Sequence, residues 1–386
     1  MHIAERATHL KPSATLAVTE LAHKLQSQGK DIISLSAGEP DFDTPSSIKD
    51  AAKKALDQGF TKYTAVSGIS ELRQAVIEEV KKTKKVAYSK NEVMITAGAK
   101  QAIFNFFQCF LNPLDEVIIP APYWVSYPEM VTLTGAKPIT LETTEKNNFK
   151  AKKKDLESLI TKKTKVFVLV SPSNPTGTLY SQDELNEILP VLEKHKIFIL
   201  CDDIYESLIY DEKLAPHPLL INPRLKNNLL HVNGVSKTYA MTGWRLGWAC
   251  GPENLIQAMV AYQSQSTSNP NSIAQKAALY ALTHPIPEVS EMKKQFKKRR
   301  DFVCKRLSHM KGISFVKPDG AFFVFINIST YNKLSVEFSK MLLEKAGLAV
   351  VPGSAFGKEG YIRMSFANSL EELDRAMDRF EKALTQ

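Results

Sequence analysis

The chain has 386 residues, of which 44% are hydrophobic and 24% charged, and its formal net charge is +9. This composition is typical of a folded protein of two or three compact units and argues against extensive disorder. No apolar run approaches the roughly 18 residues that a membrane span needs. The N-terminal stretch MHIAERATHLKPSATLAV contains too many charged residues for a secretory signal. We therefore expect a cytoplasmic protein without a membrane partner.

The positive charge is spread along the chain. Basic clusters occur at 81–85, 151–155, 161–165 and 293–300. The last of them, KKQFKKRR, lies on a helical pattern and is the best candidate for a basic stripe, but no known nucleic-acid-binding module accompanies it. Solvated helix faces and turns explain these clusters better, so nucleic acid is not expected as a partner.

The cysteines lie far apart, in or beside apolar segments, and lack the spacing of zinc ligands. They are Cys109, Cys201, Cys250 and Cys304. Such a pattern predicts buried free thiols in a reducing compartment and no metal site.

The predicted elements begin with one helix in the first 40 residues, followed by DIISLSAGEPDFDTP, a strand that runs into a Gly/Pro loop. Short apolar runs then alternate with stretches of helical period such as 100–111 and 181–195. The runs lie at 92–96, 116–120, 137–142, 165–171, 196–203, 229–234 and 244–251. Near-continuous apolar strands alternating with helices predict an α/β fold with a mostly parallel sheet buried on both faces.

The pattern changes after about residue 285. A proline-punctuated entry leads into a long helix, and three shorter strands follow, FFVFINI, AVVPGS and YIRMSF. The closing segment SLEELDRAMDRFEKAL has helical period. This part predicts an α+β unit distinct from the central sheet.

Five predicted strands of the middle segment end in small or polar residues. Open α/β sheets bind ligands beyond the carboxyl ends of their strands, so we expect these residues at one ligand-binding edge. If the run 244–251 is antiparallel, Arg245 lies at that edge too. The turn AGAKQ opens a helix whose free N–H groups suit a phosphate, although a plain strand–helix turn explains it equally well. It matches neither a Walker A loop nor GxGxxG, so nucleotide binding is not expected.

Polar and aromatic residues at this edge also have structural explanations when each is taken alone. Asp202, at the end of a buried strand, could be a helix cap or an ion-pair partner, because a carboxylate is not buried alone. Asn174 lies in the turn SPSNPTG, and a lone Trp124 is more often a core residue. Asp202 is harder to explain in this way because Tyr205 follows on what could be the same turn.

Lys237 and Arg245 lie in the segment VNGVSKTYAMTGWRLGW, between apolar stretches. A partly desolvated lysine beside another cation has a lowered pKa and a nucleophilic amine. The planar guanidinium of Arg245 suits a phosphate. With the helix start, Asp202 and Trp124, they meet the needs of pyridoxal phosphate: an imine, a phosphate anchor, a counter-charge for the ring nitrogen and a cover for the ring.

Three motifs in this order, SPSNPTG, VNGVSKTYAMTGWRLGW and YIRMSFA, resemble those of the class I pyridoxal-phosphate-dependent aminotransferases. The chain is most similar to the bacterial aspartate aminotransferases, and the resemblance extends from KPSATLAV and SAGEPDFDTP to YIRMSFA. It implies fold type I: a large domain, 45–288, with a mostly parallel mixed sheet sandwiched by helices. A smaller α+β domain is formed from both termini, 1–44 and 289–386.

The resemblance also implies the roles of the residues around the cofactor ring. Lys237 forms the imine and later moves a proton between the substrate α-carbon and the cofactor. Asp202 keeps the ring nitrogen protonated, and Trp124 stacks on the ring. Tyr205 and Asn174 hydrogen-bond the phenolic oxygen.

The phosphate is expected to bind Arg245 and the segment Gly98-Ala99-Lys100. Ser236 is a further candidate. Members of the family have Ser or Gly three residues before the lysine, and Gly234 here removes one possible side-chain contact to the phosphate.

At the substrate end, the resemblance implies that Arg363 binds the α-carboxylate, helped by the backbone of Gly38. Tyr63 would reach the phosphate of a neighbouring subunit, which implies a homodimer. Some relatives use a partner-chain arginine for a distal substrate carboxylate, and we find no equivalent here; in the bacterial subgroup that this chain resembles, lysines do that job, so Lys11 and Lys100 are candidates. A solvated N-terminal charge explains Lys11 equally well.

The function implied is a ping-pong aminotransferase that moves an amino group from an L-amino acid, with aspartate as the first choice, to 2-oxoglutarate. An aromatic or prephenate aminotransferase and a β-lyase on the same fold are alternatives. A non-catalytic regulator that binds the cofactor is disfavoured, because such proteins usually carry a DNA-binding module.

Overall fold

The computed structural model describes residues 3–4, 8, 10, 12–211 and 214–385. The helices of these residues are α1 (Ala14–Ser27), α2 (Ser46–Asp57), α3 (Ser70–Lys84), α4 (Ala99–Phe110), α5 (Ser126–Thr132), α6 (Lys153–Leu159), α7 (Gln182–Lys194), α8 (Pro218–Ile221), α9 (Val235–Thr238), α10 (Glu253–Ser264), α11 (Ser272–Thr283), α12 (Pro287–Ser308), α13 (Ser335–Ala346) and α14 (Leu370–Leu384). None of these helices is both long and apolar enough to cross a membrane.

The strands of the described residues are β1 (Ile33–Ser34), β2 (Val93–Thr96), β3 (Glu116–Ala121), β4 (Lys137–Glu142), β5 (Thr164–Val170), β6 (Phe198–Asp202), β7 (Leu229–Gly234), β8 (Gly247–Cys250), β9 (Ser314–Phe315), β10 (Phe323–Asn327), β11 (Leu348–Ala349), β12 (Val351–Pro352) and β13 (Tyr361–Ser365). Each apolar run predicted in the middle segment overlaps one of these strands, with bounds that differ by a few residues at most. The run 244–251 is the least accurate, because its first residues form a turn in which Arg245 has a φ of 51°.

A seven-stranded sheet forms the centre of the fold, in the order β2-β8-β7-β6-β5-β3-β4. β8 is antiparallel to both of its neighbours, and the other pairs are parallel. This confirms the predicted α/β fold with a mostly parallel sheet. Because β8 runs the opposite way, the residues before it lie at the same edge as the carboxyl ends of the parallel strands.

Both faces of this sheet are covered, which is why its strands are apolar at nearly every position. Along β6, Phe198 and Leu200 pack on one face, against α4, α10 and α12. Ile199 and Cys201 pack on the other face, against α2, α3, α7 and α11. The alternation follows from the two-residue period of a strand. Cys201, Cys250 and Cys304 are buried and Cys109 is half-buried, and all four are free thiols.

A four-stranded antiparallel sheet, β12-β13-β10-β9, forms from the C-terminal third of the chain. Helices α13 and α14 pack beside it, and α12 packs on α14. The N-terminal segment joins this part, because β1 pairs with β11 and Ile33 lies opposite Leu348.

Two arginines of the basic stretch 293–300 are not solvated, contrary to the interpretation from the sequence. Arg299 donates to both carboxylate oxygens of Asp41, at 2.6 and 3.0 Å. Arg300 donates to Asp211 at 2.8 Å and to the carbonyl of Pro318 at 3.0 Å. Buried guanidinium groups require such partners because an unpaired buried charge is costly. These cations therefore tie α12 to neighbouring segments.

Candidate active site

A cavity of about 220 Å³ lies at the edge where the parallel strands end. Most of the residues predicted for the site line it: Gly38, Ala99, Lys100, Trp124, Asn174, Asp202, Tyr205, Ser236, Lys237, Arg245 and Arg363. Gly98 lies directly behind Arg245. The structure therefore brings together residues that are up to 325 positions apart in the chain, from Gly38 to Arg363.

Lys237, on α9, has its amine inside this cavity. Nζ donates to the carbonyl of Gly38 at 2.5 Å, so the loop SAGEP contacts Lys237 directly. Burial lowers the pKa of Lys237 to about 8; the carboxylate of Glu39 opposes this shift, and Arg245 and Arg363 add to it. An amine with this pKa exists in part as the free base near neutral pH, as a nucleophile or proton acceptor requires.

Asp202 ends β6 and is buried. Its Oδ2 accepts a hydrogen bond from the Tyr127 hydroxyl at 2.6 Å, and its Oδ1 accepts one from the backbone N–H of Ile204 at 3.2 Å. Burial raises the pKa of Asp202 to about 6, although these two hydrogen bonds lower it. The carboxylate is thus poised to share a proton with a basic group placed in the cavity.

Tyr127 was not among the residues predicted for the site. It lies on α5, one helical turn after Trp124, and the two rings meet edge to face with centroids 5.1 Å apart. The i, i+3 spacing in YWVSYP is a signal that could have suggested it, because such residues share one helix face. Only the folded structure places its hydroxyl against Asp202.

Arg363, on β13, is the substrate-binding candidate and is only 1% exposed. Its terminal nitrogens donate to Asn174 Oδ1 at 3.0 Å and to the carbonyl of Ser36 at 2.7 Å. The backbone of Gly38, expected to help Arg363 bind the substrate, lines the same cavity, and its role there stays a prediction. Its Nε is buried without a hydrogen-bond partner. Burial lowers the pKa of Arg363 to about 10, so the guanidinium is charged at neutral pH.

Tyr205 lies between Asp202 and Arg363. Burial raises the pKa of its hydroxyl, whereas the charge of Arg363 and a hydrogen bond with Asn174 lower it. The Tyr205 ring packs edge to face on Phe322 and Phe323, which fixes its orientation. The hydroxyl is therefore a neutral group positioned for hydrogen bonding.

Cations and free N–H groups meet at the other end of the cavity. Arg245 donates to the carbonyl of Thr242 at 2.8 Å, and α4 begins with Ala99 behind it. Gly98 has a φ of 85°, which favours glycine, and a Cβ there would lie 2.7 Å from the Arg245 guanidinium and force it to move. The pKa of Lys100 is lowered by burial and by Arg245. A helix start beside two cations is suited to an anion.

Gly234 is required by packing. A Cβ there would lie 2.9 Å from the carbonyl oxygen of Leu246 and 3.0 Å from the Cα of Gly247. The missing side chain at this position therefore follows from the close approach of β7 and β8.

Among the described residues, Tyr63 is a second predicted residue besides Gly98 that does not line the cavity, and its side chain is 90% exposed. Lys11 lies outside the described residues. Conversely, Ser13, Thr15 and Leu16 line the cavity but were not predicted, because Ser13 caps an ordinary amphipathic helix and the other two lie in its first turn.

The sequence matches the family described as "Aminotransferase class I and II" over residues 30–380. The chain belongs to the class I and II aminotransferases. This confirms the resemblance and makes the protein a pyridoxal-phosphate-dependent transaminase by family.

Similar aminotransferases match nearly the whole chain. The aspartate aminotransferase of Bacillus subtilis (strain 168) is 44% identical over 387 residues, covering 99% of this chain and 98% of the relative. The aspartate/prephenate aminotransferase of Cereibacter sphaeroides is 45% identical and covers 98% of both. The structure of the aspartate aminotransferase from Rhizobium meliloti has a TM-score of 0.96 at 40% identity, covering 100% and 99% of the two chains.

The residues of this aminotransferase fit the cofactor that its family implies. The amine of Lys237, with its lowered pKa, lies in the cavity, and the buried carboxylate of Asp202 lies at a second position on the cavity wall. A glycine cradle beside Arg245 forms its anionic end. These donors match the aldehyde, the ring nitrogen and the phosphate of pyridoxal phosphate.

Proposed function

We propose that this aminotransferase transfers the amino group of an L-amino acid, with aspartate as the preferred donor, to 2-oxoglutarate by a ping-pong reaction. The observation that carries the proposal is Arg363. Among the described residues no carboxylate forms an ion pair with it, and its Nε has no partner. A buried guanidinium of this kind needs an anion, and the α-carboxylate of an amino acid or oxo acid supplies one in bidentate geometry.

The proposed roles at the cofactor end follow from the contacts. Arg245 and the start of α4 bind the phosphate, Trp124 covers one face of the ring, and Tyr205 with Asn174 holds the phenolic oxygen. Asp202 holds the proton of the ring nitrogen. When bound, pyridoxal phosphate supplies an aldehyde that takes up the amino group and a ring that withdraws electrons from the substrate α-carbon.

Lys237 has two proposed tasks. Its amine would hold the cofactor through the aldehyde between turnovers, and as a free amine Nζ would accept the proton of the substrate α-carbon and donate it again. The lowered pKa suits both tasks because general acid–base groups work best near the operating pH. The hydrogen bond from Nζ to Gly38 keeps the amine aimed into the cavity.

Lys100 is the proposed ligand of a distal carboxylate. Its Nζ lies 4.9 Å from the centroid of the Trp124 ring, inside the same cavity. The Thermus thermophilus aspartate aminotransferase whose structure has a TM-score of 0.95 to this chain is titled as a complex with maleate, a dicarboxylate. A role of Lys11 in binding the distal carboxylate stays a prediction from the sequence. Relatives titled aspartate/prephenate aminotransferases favour prephenate as a second amino acceptor.

We also propose a homodimer in which Tyr63 reaches the phosphate of the partner subunit. The side chain is 90% exposed, so it is accessible to a partner subunit. A monomer in sedimentation experiments would contradict it. The domain division at 45–288 and a cytoplasmic location stay predictions from the sequence.

A panel of kcat/KM values over Asp, Glu, Phe, Tyr, Ala and prephenate tests the function. Aspartate is expected to lead the amino donors, with 2-oxoglutarate as the acceptor. Release of ammonia and pyruvate without an oxo-acid acceptor would instead identify a β-lyase.

A further inference from the structure

A cluster of buried titratable side chains lies behind Asp202, on the other face of the central sheet. Asp203 follows Asp202 directly, and consecutive residues at the end of an extended strand point to opposite faces. Asp202 contacts Tyr127, which packs in the same core as Leu200, whereas Asp203 extends the face of Ile199 and Cys201. Two adjacent residues, Asp202 and Asp203, thus carry buried carboxyl groups on opposite faces of the sheet.

Two histidines hold the carboxylate of Asp203. Its Oδ2 lies 2.8 Å from Nδ1 of His231 and 2.9 Å from Nε2 of His217. His217 Nδ1 accepts from the backbone N–H of Leu219 at 3.0 Å, so in the neutral ring Nε2 carries the hydrogen, and it faces Asp203.

The ammonium of Lys84 supplies a buried positive charge that acts on Asp203. Its side chain is 1% exposed and forms an ion pair with Glu206, whose other oxygen accepts from Asn233 at 2.6 Å. Burial by itself would raise the pKa of Asp203, but His217, Lys84 and the hydrogen bonds from the histidines hold it well below its usual range. Burial lowers the pKa of His217 to about 4. At neutral pH, Asp203 is therefore ionised and His217 is neutral.

The ligand atoms of Asp203, His217 and His231 lie within 4.8 Å of one another, as in a metal site. Both nitrogens, however, lie at hydrogen-bond distance from a single oxygen. The buried ammonium of Lys84 acts electrostatically on both Asp203 and His217, and it would repel a second cation. The cluster therefore stabilises the negative charge of Asp203 and is not suited to a metal ion.

We propose that Asp203 is a positioning residue that acts through Asp202: its fixed negative charge, on the far side of β6, strengthens the hold of Asp202 on the proton of the cofactor's ring nitrogen. The inference rests on the proposed function. Burial raises the pKa of Asp202 most, and the charge of Asp203 raises it further, whereas the hydrogen bonds from Tyr127 and Ile204 and the charge of His231 lower it. The other titratable groups near the two carboxylates are Tyr205 and Lys237 on the cavity side, and on the far side Cys201, which is a neutral thiol because burial raises its pKa.

The test compares two ligands of the full-length protein freed of cofactor. One is pyridoxal phosphate, and the other is its carbocyclic analogue, in which C–H replaces the ring nitrogen. Asp203→Asn is expected to weaken binding of pyridoxal phosphate by about tenfold, which corresponds to one pH unit of proton affinity, and to leave the analogue unchanged. Asp202→Asn should show a larger loss in the same direction.

His231→Asn is the matched control, because it removes one hydrogen bond to Asp203 but leaves the carboxylate in place. In this variant, the ratio of the affinity for pyridoxal phosphate to the affinity for the analogue should change by less than about threefold. Equal weakening of both ligands in Asp203→Asn would overturn the proposal, as would stoichiometric metal in the purified protein. Asp203→Ser repeats the measurement if the amide is not accommodated. If the wild type binds neither ligand, the proposed function itself fails.

Discussion

The proposed binding of the α-carboxylate makes Arg363→Lys the most informative substitution. Lysine keeps the positive charge but loses the fork that reaches Asn174 Oδ1 at 3.0 Å and the Ser36 carbonyl at 2.7 Å. It can offer the carboxylate a single donor where arginine offers two in parallel. A hydrogen bond to a charged group contributes about 1.5–3 kcal/mol. Loss of one such bond, with the disturbed orientation, is expected to cost about 3 kcal/mol, or roughly 100-fold in kcat/KM.

The assay is steady-state kinetics with aspartate, phenylalanine and alanine as donors. All three share the α-carboxylate, so the fold loss should be similar for each and should appear mainly in KM, because the carboxylate is bound in both ground and transition states. Arg300→Lys is the matched control: Arg300 is also 1% exposed, but its partners are Asp211 and Pro318, away from the cavity.

Two results would refute the reasoning. One is a loss in Arg363→Lys of less than about threefold, since a bidentate contact cannot be replaced at so small a cost. The other is an equal rise of KM in Arg300→Lys, which would show that a general loosening of the protein is responsible. Thermal unfolding of both variants separates stability from binding.

Three further outcomes are expected. Borohydride reduction should trap the cofactor on the peptide that contains Lys237, and a label on Lys100 would contradict the site. In cofactor-free protein, Asp202→Asn should be more stable than wild type by about 3 kcal/mol near pH 7.5, because a pKa raised from 3.8 to about 6 means that ionised Asp202 destabilises the fold. The gain should vanish below about pH 4 in urea unfolding, where Asp202 is protonated in both states; a gain independent of pH would exclude this cause. Lys100→Ala should reduce kcat/KM for aspartate far more than for phenylalanine, and equal losses would remove its distal-carboxylate role.

The central sheet could be predicted because its signal is local. Runs such as KPITLE and LLHVNG have the length and the apolar content of one strand, and the observed strands β4 and β7 have the same bounds. The positions of Asp202 and Lys237 at one edge followed from the rule that ligands bind beyond the carboxyl ends of strands. Arg245 was placed there only on the condition that β8 runs antiparallel, which the sheet confirms.

Contacts between distant segments could not be predicted in this way. The hydroxyl of Tyr127 meets Asp202 across 75 residues, and Nζ of Lys237 meets Gly38 across 199. The burial of Arg299 and Arg300 could not be predicted either, because a basic run on a helix has the same residues whether they contact water or carboxylates of other segments.

The sequence by itself therefore determined the fold class, the family and the chemical types at the site, because periodicity and motif spacing are properties of short segments. Only the tertiary structure decided which atoms meet: that Asp203 turns away from the cavity, that Arg363 contacts the carbonyl of Ser36, and that the start of α1 lines the cavity. The physical reason is that hydrogen-bond partners and pKa values depend on burial and charge at distances of a few ångströms, which the packing of distant segments sets.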